Sequence, residues 1–527
     1  MTKPPSVRVL LVLCVVLAVG ACTAPAPTTP PATTLRVLAS SELADMQPLL
    51  DDLRRDTGIE LVLDYQGSVA AADSLAAGDH RHDLAWLSSE RYFHLKLQAT
   101  RNTRPRPLST KIMSSPVVIG VRPKTAELLR REAPDPRLSW ADIADAAAVG
   151  RVRFGMADPS RTNSGLSALI GVATAAAGTG SALRPQDVTC DRLRGFLTGR
   201  TMTAETSNLL VDQFVARQAD TDALITYESV LLSLNASGRL TEPLEIIYPE
   251  DGIVLSDYPL LLLDPAHRAS YDTVVTWLKS ETGQRRIMER TLRRPVDPNI
   301  PRDPRLAATI GNALFFPDQP EVVDKLLANY DPRSAVHGQV IFLLDFSGSM
   351  KGDRIAALRS TFDGLSGADS SSTGRFLRFY QGEKFVLTRF GGQVLAERSF
   401  TIGGQADIDA IRAFLATDQF DGRTAVWSAL DHAYQTASRL VRDNPGQPVT
   451  IVLMTDGESN AGIDFEEFLR RHGSLPPEAR AVHTYTIRYG DADPAALDRA
   501  ARATGGQMVD ASATSLHEAF KKTRGCR

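Results

Sequence analysis

Five oxygen-bearing residues in the last third of the chain stand in an order that could hold a metal ion. Asp345-Phe346-Ser347-Gly348-Ser349 places a carboxylate and two hydroxyls at alternate positions, directly after the apolar run Val340-Ile341-Phe342-Leu343-Leu344. Asp421-Gly422-Arg423-Thr424 precedes a long helical stretch from Ala425 to Val441, and a second apolar run, Val449 to Met454, ends in Thr455-Asp456-Gly457. Oxygen-only donors of mixed charge suit a hard divalent cation in a roughly octahedral shell. Asp345, Ser347, Ser349, Thr424 and Asp456 are therefore candidate ligands for Mg2+, or for another hard ion such as Mn2+.

A second candidate set lies nearer the start. Strand-like runs Leu35-Arg36-Val37-Leu38, Ile59 to Leu63 and Asp83 to Leu87 are followed by Ser40-Ser41, Tyr65-Gln66-Gly67-Ser68 and Ser88-Ser89. Small hydroxyls recurring beyond three strand ends mark the edge at which α/β sheets receive ligands. Further on, Met156-Ala157-Asp158-Pro159-Ser160-Arg161-Thr162-Asn163-Ser164-Gly165 leads into an apolar helix from Leu166 to Ala177. Thr162 and Ser164 at its start could help receive an anion or simply cap the helix, and the sequence leaves both readings open. Asp222 to Ser229 is expected to carry a strand up to an exposed polar tip.

Other chemistries find less support. A phospho-accepting aspartate usually has a second acid two residues on, where this chain has Ser347. There is no Gly-x-Ser-x-Gly elbow and no phosphate loop. His80-Arg81-His82 sits in a polar loop and reads as solvated. The expectation is a protein that is not an enzyme, with a metal-dependent hydrolase kept as the weaker alternative.

The elements that must position these residues alternate between strand and helix, which implies mostly parallel sheets. At 527 residues the chain is too long for one core, so two or more domains are expected. A hydrophobic fraction of 43% with 23% charged residues is that of globular protein. The 59 basic and 62 acidic residues leave a formal charge of −3, which gives no electrostatic grip on nucleic acid. The folded units are expected over 35–300 and 337–527, joined by a Pro-punctuated linker at 301–336 with one amphipathic helix from Val322 to Tyr330.

The first residues carry an address. Lys3 and Arg8 precede an apolar run from Val9 to Ala21, too short to span a bilayer comfortably and suited to a signal peptide over residues 1–21. Its end, Val19-Gly20-Ala21-Cys22, resembles a bacterial lipobox, which implies cleavage before Cys22 and lipidation of its sulfur, with palmitate or a similar chain on the new amine. Residues 22–34, rich in Pro, Thr and Ala, read as an extended tether. These features place the protein on the extracytoplasmic face of the cell membrane, held there by lipid. Cys190 and Cys526 could pair in an oxidising compartment, a point the sequence leaves open.

Residues 337–527 resemble the von Willebrand factor A domain and its metal-ion-dependent adhesion site, through the pattern Asp345-x-Ser347-x-Ser349, Thr424 and Asp456. Strand Val482 to Tyr489 and the segment Ala503-Thr504-Gly505-Gly506-Gln507 match its closing region. The resemblance implies a doubly wound, Rossmann-like parallel sheet. It implies direct coordination by Ser347, Ser349 and Thr424, the two aspartates often acting through water, and a partner protein's acidic side chain completing the shell. Residues 35–300 resemble a type 2 periplasmic solute-binding protein. That likeness implies an α/β fold of two lobes closing on a small solute, with Ser41, Ser68, Ser89, Ser164 and Tyr227 lining the cleft, or else a scaffold that has lost its solute. Together they imply a bacterial cell-surface binding or adhesion protein. The competing class is a lipoprotein that delivers solute to a transport system.

Overall fold

The computed structural model describes residues 33–78, 81–100, 106–188, 193–306, 310–330, 338–512 and 514–523. The signal peptide, Cys22, Cys190 and Cys526 lie outside the described residues. Among the described residues eighteen strands run in chain order. They are β1 (Thr33–Ser40), β2 (Ile59–Gln66), β3 (Leu84–Trp86), β4 (Leu108–Lys111), β5 (Met113–Val121), β6 (Phe154–Met156), β7 (Arg200–Met202), β8 (Ala223–Tyr227) and β9 (Glu245–Ile247). There follow β10 (Leu255–Ser256), β11 (Pro259–Leu262), β12 (Arg294–Pro295), β13 (Gln339–Asp345), β14 (Lys384–Phe390), β15 (Val394–Thr401), β16 (Val449–Thr455), β17 (His483–Arg488) and β18 (Met508–Asp510).

The first sheet has the order β2-β1-β3-β11-β4, and the second is built on the path β10-β5-β8-β6-β7. Each mixes directions. β1 is parallel to β2 and β3, whereas β11 runs antiparallel to β3 and β4. The chain crosses from the first sheet to the second between β4 and β5 and returns between β10 and β11, which makes two lobes. β1 begins at Thr33, so the last two residues expected in the tether are sheet residues, paired with Ile59 and Glu60. The alternation of a strand sets its faces: Leu35, Val37 and Ala39 join one buried cluster and Leu38 the other.

The third sheet, β15-β14-β13-β16-β17-β18, is parallel except for its edge strand β15, which pairs antiparallel with β14. That hairpin was not legible from the strand-helix alternation. Phe342 and Leu344 of β13 pack toward the helices Asp353–Asp363 and Leu516–Thr523, and Ile341 and Leu343 toward the helix Val426–Asp443. A strand covered on both faces reads as a continuous apolar run. β13 and β16 are such strands, and so their polar ends stand out in the sequence.

Part of the stretch between the units is packed on the first. Val322, Val323, Leu326 and Tyr330 of the helix Pro320–Tyr330 are buried in the first unit's core. Among the described residues no helix is long and apolar enough to cross a membrane.

Candidate functional site

The carboxyl ends of β13 and β16 are neighbours, and this brings the candidate metal ligands together. Asp345 is fully buried, with Oδ1 accepting the N–H of Ser347 at 2.8 Å and Oδ2 the hydroxyl of Thr455 at 2.6 Å. These bonds fold the following loop back over the strand end. The hydroxyls of Ser347 and Ser349 then lie 3.0 Å apart, and Ser349 donates to Oδ1 of Asp456 at 2.9 Å. The 421–424 loop is fixed to the same edge by a bridge between Ser347 and Asp421 and by the bond from Asp421 N–H to the Phe346 carbonyl, 3.0 Å. Thr424 donates its N–H to Asn460 Oδ1 at 2.8 Å, and its carbonyl accepts the N–H groups of Asn460 and Ala461. A Cβ on Gly457 would sit 3.6 Å from Ser349 Oγ and 3.7 Å from Thr424 Oγ1, so both hydroxyls face one spot beside that glycine.

Two carboxylates and three hydroxyls thus share one rim, a donor set that fits a hard divalent cation. The two acids differ. Asp345 has only neutral donors, and burial pushes its carboxyl up to about 6, against the pull of Thr455 and Ser347 and with a push from Asp456. Asp456 has a cation of its own, Arg354, whose Nη1 lies 2.6 Å from Oδ2. Sequence reasoning missed Asn460 and Arg354 and assigned no role to Thr455.

The lobe cleft differs in detail from expectation. The serines whose hydroxyls meet are Ser40, Ser68 and Ser88: Ser40 bonds to Ser68, Ser68 to Ser88 at 2.6 Å, and the Ser88 N–H donates to Ser40 Oγ at 2.8 Å. Of the expected residues Ser68 is in this group, whereas Ser41 and Ser89 are one position out of register. Ser41 opens the short helix Ser41–Met46, and Ser89 lies three residues past the end of β3. Ser41 instead offers its carbonyl to Asn208 of the other lobe at 2.8 Å, and Ser89 accepts the N–H of Arg91. Thr162 caps the helix Asn163–Ala177 through the Gly165 N–H, and Ser164 bonds to Ser207 at 3.0 Å.

Tyr227 and Glu228 are buried, not an exposed tip. The Tyr227 hydroxyl accepts from Asn163, which also donates to Ser256, while Glu228 is held by Arg294 at 2.7 Å on both oxygens. His82 is likewise buried, bonded to Asp64 at 2.8 Å. The cleft also holds a residue that the sequence did not flag. Glu42 is buried, its Oε1 has no hydrogen-bond partner among the described residues, and burial raises its carboxyl above the usual range.

Residues 35–290 match the family model of the bacterial extracellular solute-binding proteins, and residues 339–522 match the von Willebrand factor type A domain. The chain is a solute-binding domain followed by a von Willebrand factor A domain. Among solved structures it is similar to the periplasmic binding protein AfuA from Actinobacillus pleuropneumoniae, with fructose-6-phosphate bound. The identity is 13% and the TM-score 0.42, over 57% of this chain and 96% of that one. Iron-bound HitA from Pseudomonas aeruginosa is 14% identical with a TM-score of 0.41, over 56% and 98%. The sulfate-binding protein SubI from Mycobacterium tuberculosis H37Rv is 17% identical with a TM-score of 0.36, over 57% and 99%. No curated protein matches the sequence.

The A domain is docked on the solute-binding domain through the segment 371–381, which precedes β14. Arg375 pairs with Asp142, and Arg378 with Asp145 at 2.5 Å, two acids three residues apart on the helix Trp140–Ala148. Asp142 also closes that helix's capping box with Ser139. The Gln381 N–H donates to the Ala148 carbonyl at 2.7 Å, and Phe376 is buried in the core of the solute-binding domain. A crevice of about 630 Å³ lies beside this seam, and its charged side chains include the pairs Asp142–Arg375, Asp145–Arg378 and Glu132–Arg151, while Asp369 pairs with His517.

Proposed function

We propose that this chain is a lipid-anchored extracytoplasmic receptor, tethered through Cys22, whose A domain captures a protein partner at a metal site. Asp345, Ser347, Ser349, Thr424 and Asp456 would hold Mg2+ or Mn2+, and the ion would supply a Lewis-acidic position for a partner's acidic side chain. The chain's own residues do the rest. Thr455 and the Ser347 N–H orient Asp345, Asn460 fixes the backbone of Thr424, and Ser349 is aimed by Asp456. The observation that carries this reading is the buried Asp345 carboxylate on the shared rim, whose oxygens accept only from Ser347 and Thr455 and which pairs with no cation among the described residues. Nothing in the reading requires catalysis, and the protein acts by binding.

The solute-binding domain serves in this reading as the platform. Ser40, Ser68 and Ser88 satisfy one another, and the carbonyl of Arg161 from the other lobe accepts the N–H groups of Val69 and Ala70 at the start of the helix Ser68–Ala77. Those amides are where an anion would otherwise bind. A second reading, solute delivery to a transport system, draws on Glu42, a buried carboxylate with a free acceptor in the cleft.

Native mass spectrometry of the full chain in Mg2+, with and without chelator, separates the two. A metal adduct present in wild type, stripped by chelator and absent from Asp345→Ala supports the receptor. A co-purified small molecule with no metal adduct would transfer the function to solute delivery.

A further inference from the structure

Asp456 is fully buried, and an ionised carboxylate in that position needs a counter-charge. The counter-charge comes from within the chain. Arg354, in the first turn of the helix Asp353–Asp363, donates Nη1 to Asp456 Oδ2 at 2.6 Å and Nη2 to Asp491 Oδ2 at 2.9 Å.

The slot that receives this guanidinium is shaped for it. Gly490 has φ +60°, and a Cβ there would lie 2.8 Å from Arg354 Cζ and 2.9 Å from Nη1, so a side chain would evict the arginine. The next N–H, of Asp491, donates to the Asp456 carbonyl at 3.0 Å, which fastens the slot to the end of β16. Asp456 is thereby split between two tasks: Oδ2 faces Arg354, and Oδ1 faces Ser349. Among the described residues Asp345, on the same rim, has no such partner.

We infer that Arg354 is a resident counter-cation of the metal site. It holds Asp456 in place and keeps the metal-free A domain folded. Its positive charge opposes that of an incoming ion and so limits the affinity. This rests on the metal-binding reading given above. A protein built in this way stays folded through cycles of metal loss and takes up the ion reversibly, where an uncompensated site would bind it tightly.

The test measures Mg2+ affinity calorimetrically on the full chain, together with the melting of the chelator-treated protein, for wild type, Arg354→Gln and Arg354→Lys. Gln keeps a hydrogen bond to Asp456 without the charge, and Lys keeps the charge. Arg354→Gln should bind Mg2+ on the order of tenfold more tightly and melt lower under chelator, while Arg354→Lys stays close to wild type in affinity. Equal or weaker Mg2+ binding by Arg354→Gln overturns the inference while leaving the metal site standing. Absence of Mg2+ binding in all three, wild type included, removes the metal reading and this inference with it.

Discussion

The carbonyl oxygen of Arg161 accepts the N–H of Val69 at 3.1 Å, a bond that runs from one lobe of the solute-binding domain to the other. The same oxygen takes the Ala70 N–H at 3.2 Å, so a loop of the second lobe caps a helix of the first. Gly67 makes the approach feasible, because a Cβ there would run into that carbonyl. Gly67→Val should force the lobes apart. Small-angle scattering should show a larger radius of gyration, and the Val69 and Ala70 amides should exchange faster. Unchanged scattering and exchange would mean that this bond is not what holds the cleft shut.

The serine cluster beneath it should contribute modestly. Ser68→Ala leaves Ser40 and Ser88 one partner short, though the Ser88 N–H keeps its bond to Ser40 Oγ. A loss of about 1 kcal/mol is expected, read as a lower denaturation midpoint with an unchanged Mg2+ adduct.

Stability without metal should depend on pH through Asp345. Its folded-state value of about 6 lies above the ordinary 3.8, so the folded protein binds the proton more tightly than the unfolded chain. Ionisation therefore costs stability progressively from about pH 4 to about pH 6, and the cost is constant above that, on the order of 3 kcal/mol. Asp345→Asn should melt higher than wild type at pH 7 under chelator, match it near pH 4, and form no metal adduct. Parallel melting curves across this range would contradict the assignment.

The seam between the domains should respond to charge reversal. Arg375→Glu with Arg378→Glu sets like charges against Asp142 and Asp145 and should cost roughly 1–3 kcal/mol, with protease cleavage appearing in the 371–381 segment. Adding Asp145→Arg, which leaves the Asp142 capping box intact, should restore part of the resistance. Cleavage that ignores the first pair of changes would show that the ion pairs do not hold the domains together.

The metal rim was legible because its residues follow buried strands: two apolar runs ending in Asp345 and in Thr455-Asp456 announce themselves locally. Arg354 was not, since it reaches Asp456 across 102 residues and Asp491 across 137, and nothing near it in sequence marks the slot at Gly490. The recurrence of serines beyond three strand ends is legible, whereas the meeting of Ser40, Ser68 and Ser88 hydroxyls is not, because it is set by how separate chain segments come together. Tyr227 and Glu228 looked like a polar tip. Their burial depends on partners at Asn163 and Arg294 that only the closed tertiary structure supplies.

Phe376 is a residue of one domain that completes the core of the other. Thr373 beside it lies so close to Gly178 that a Cβ at that glycine would sit 2.7 Å from its methyl group. A cut at the nominal boundary would strip the solute-binding domain of an aromatic side chain and leave the A domain with a greasy, arginine-flanked loop in water. The two modules are therefore not interchangeable beads. A recombination event that moved either one to another protein would have to carry the other's seat along with it, and the pair is expected to be inherited as one piece.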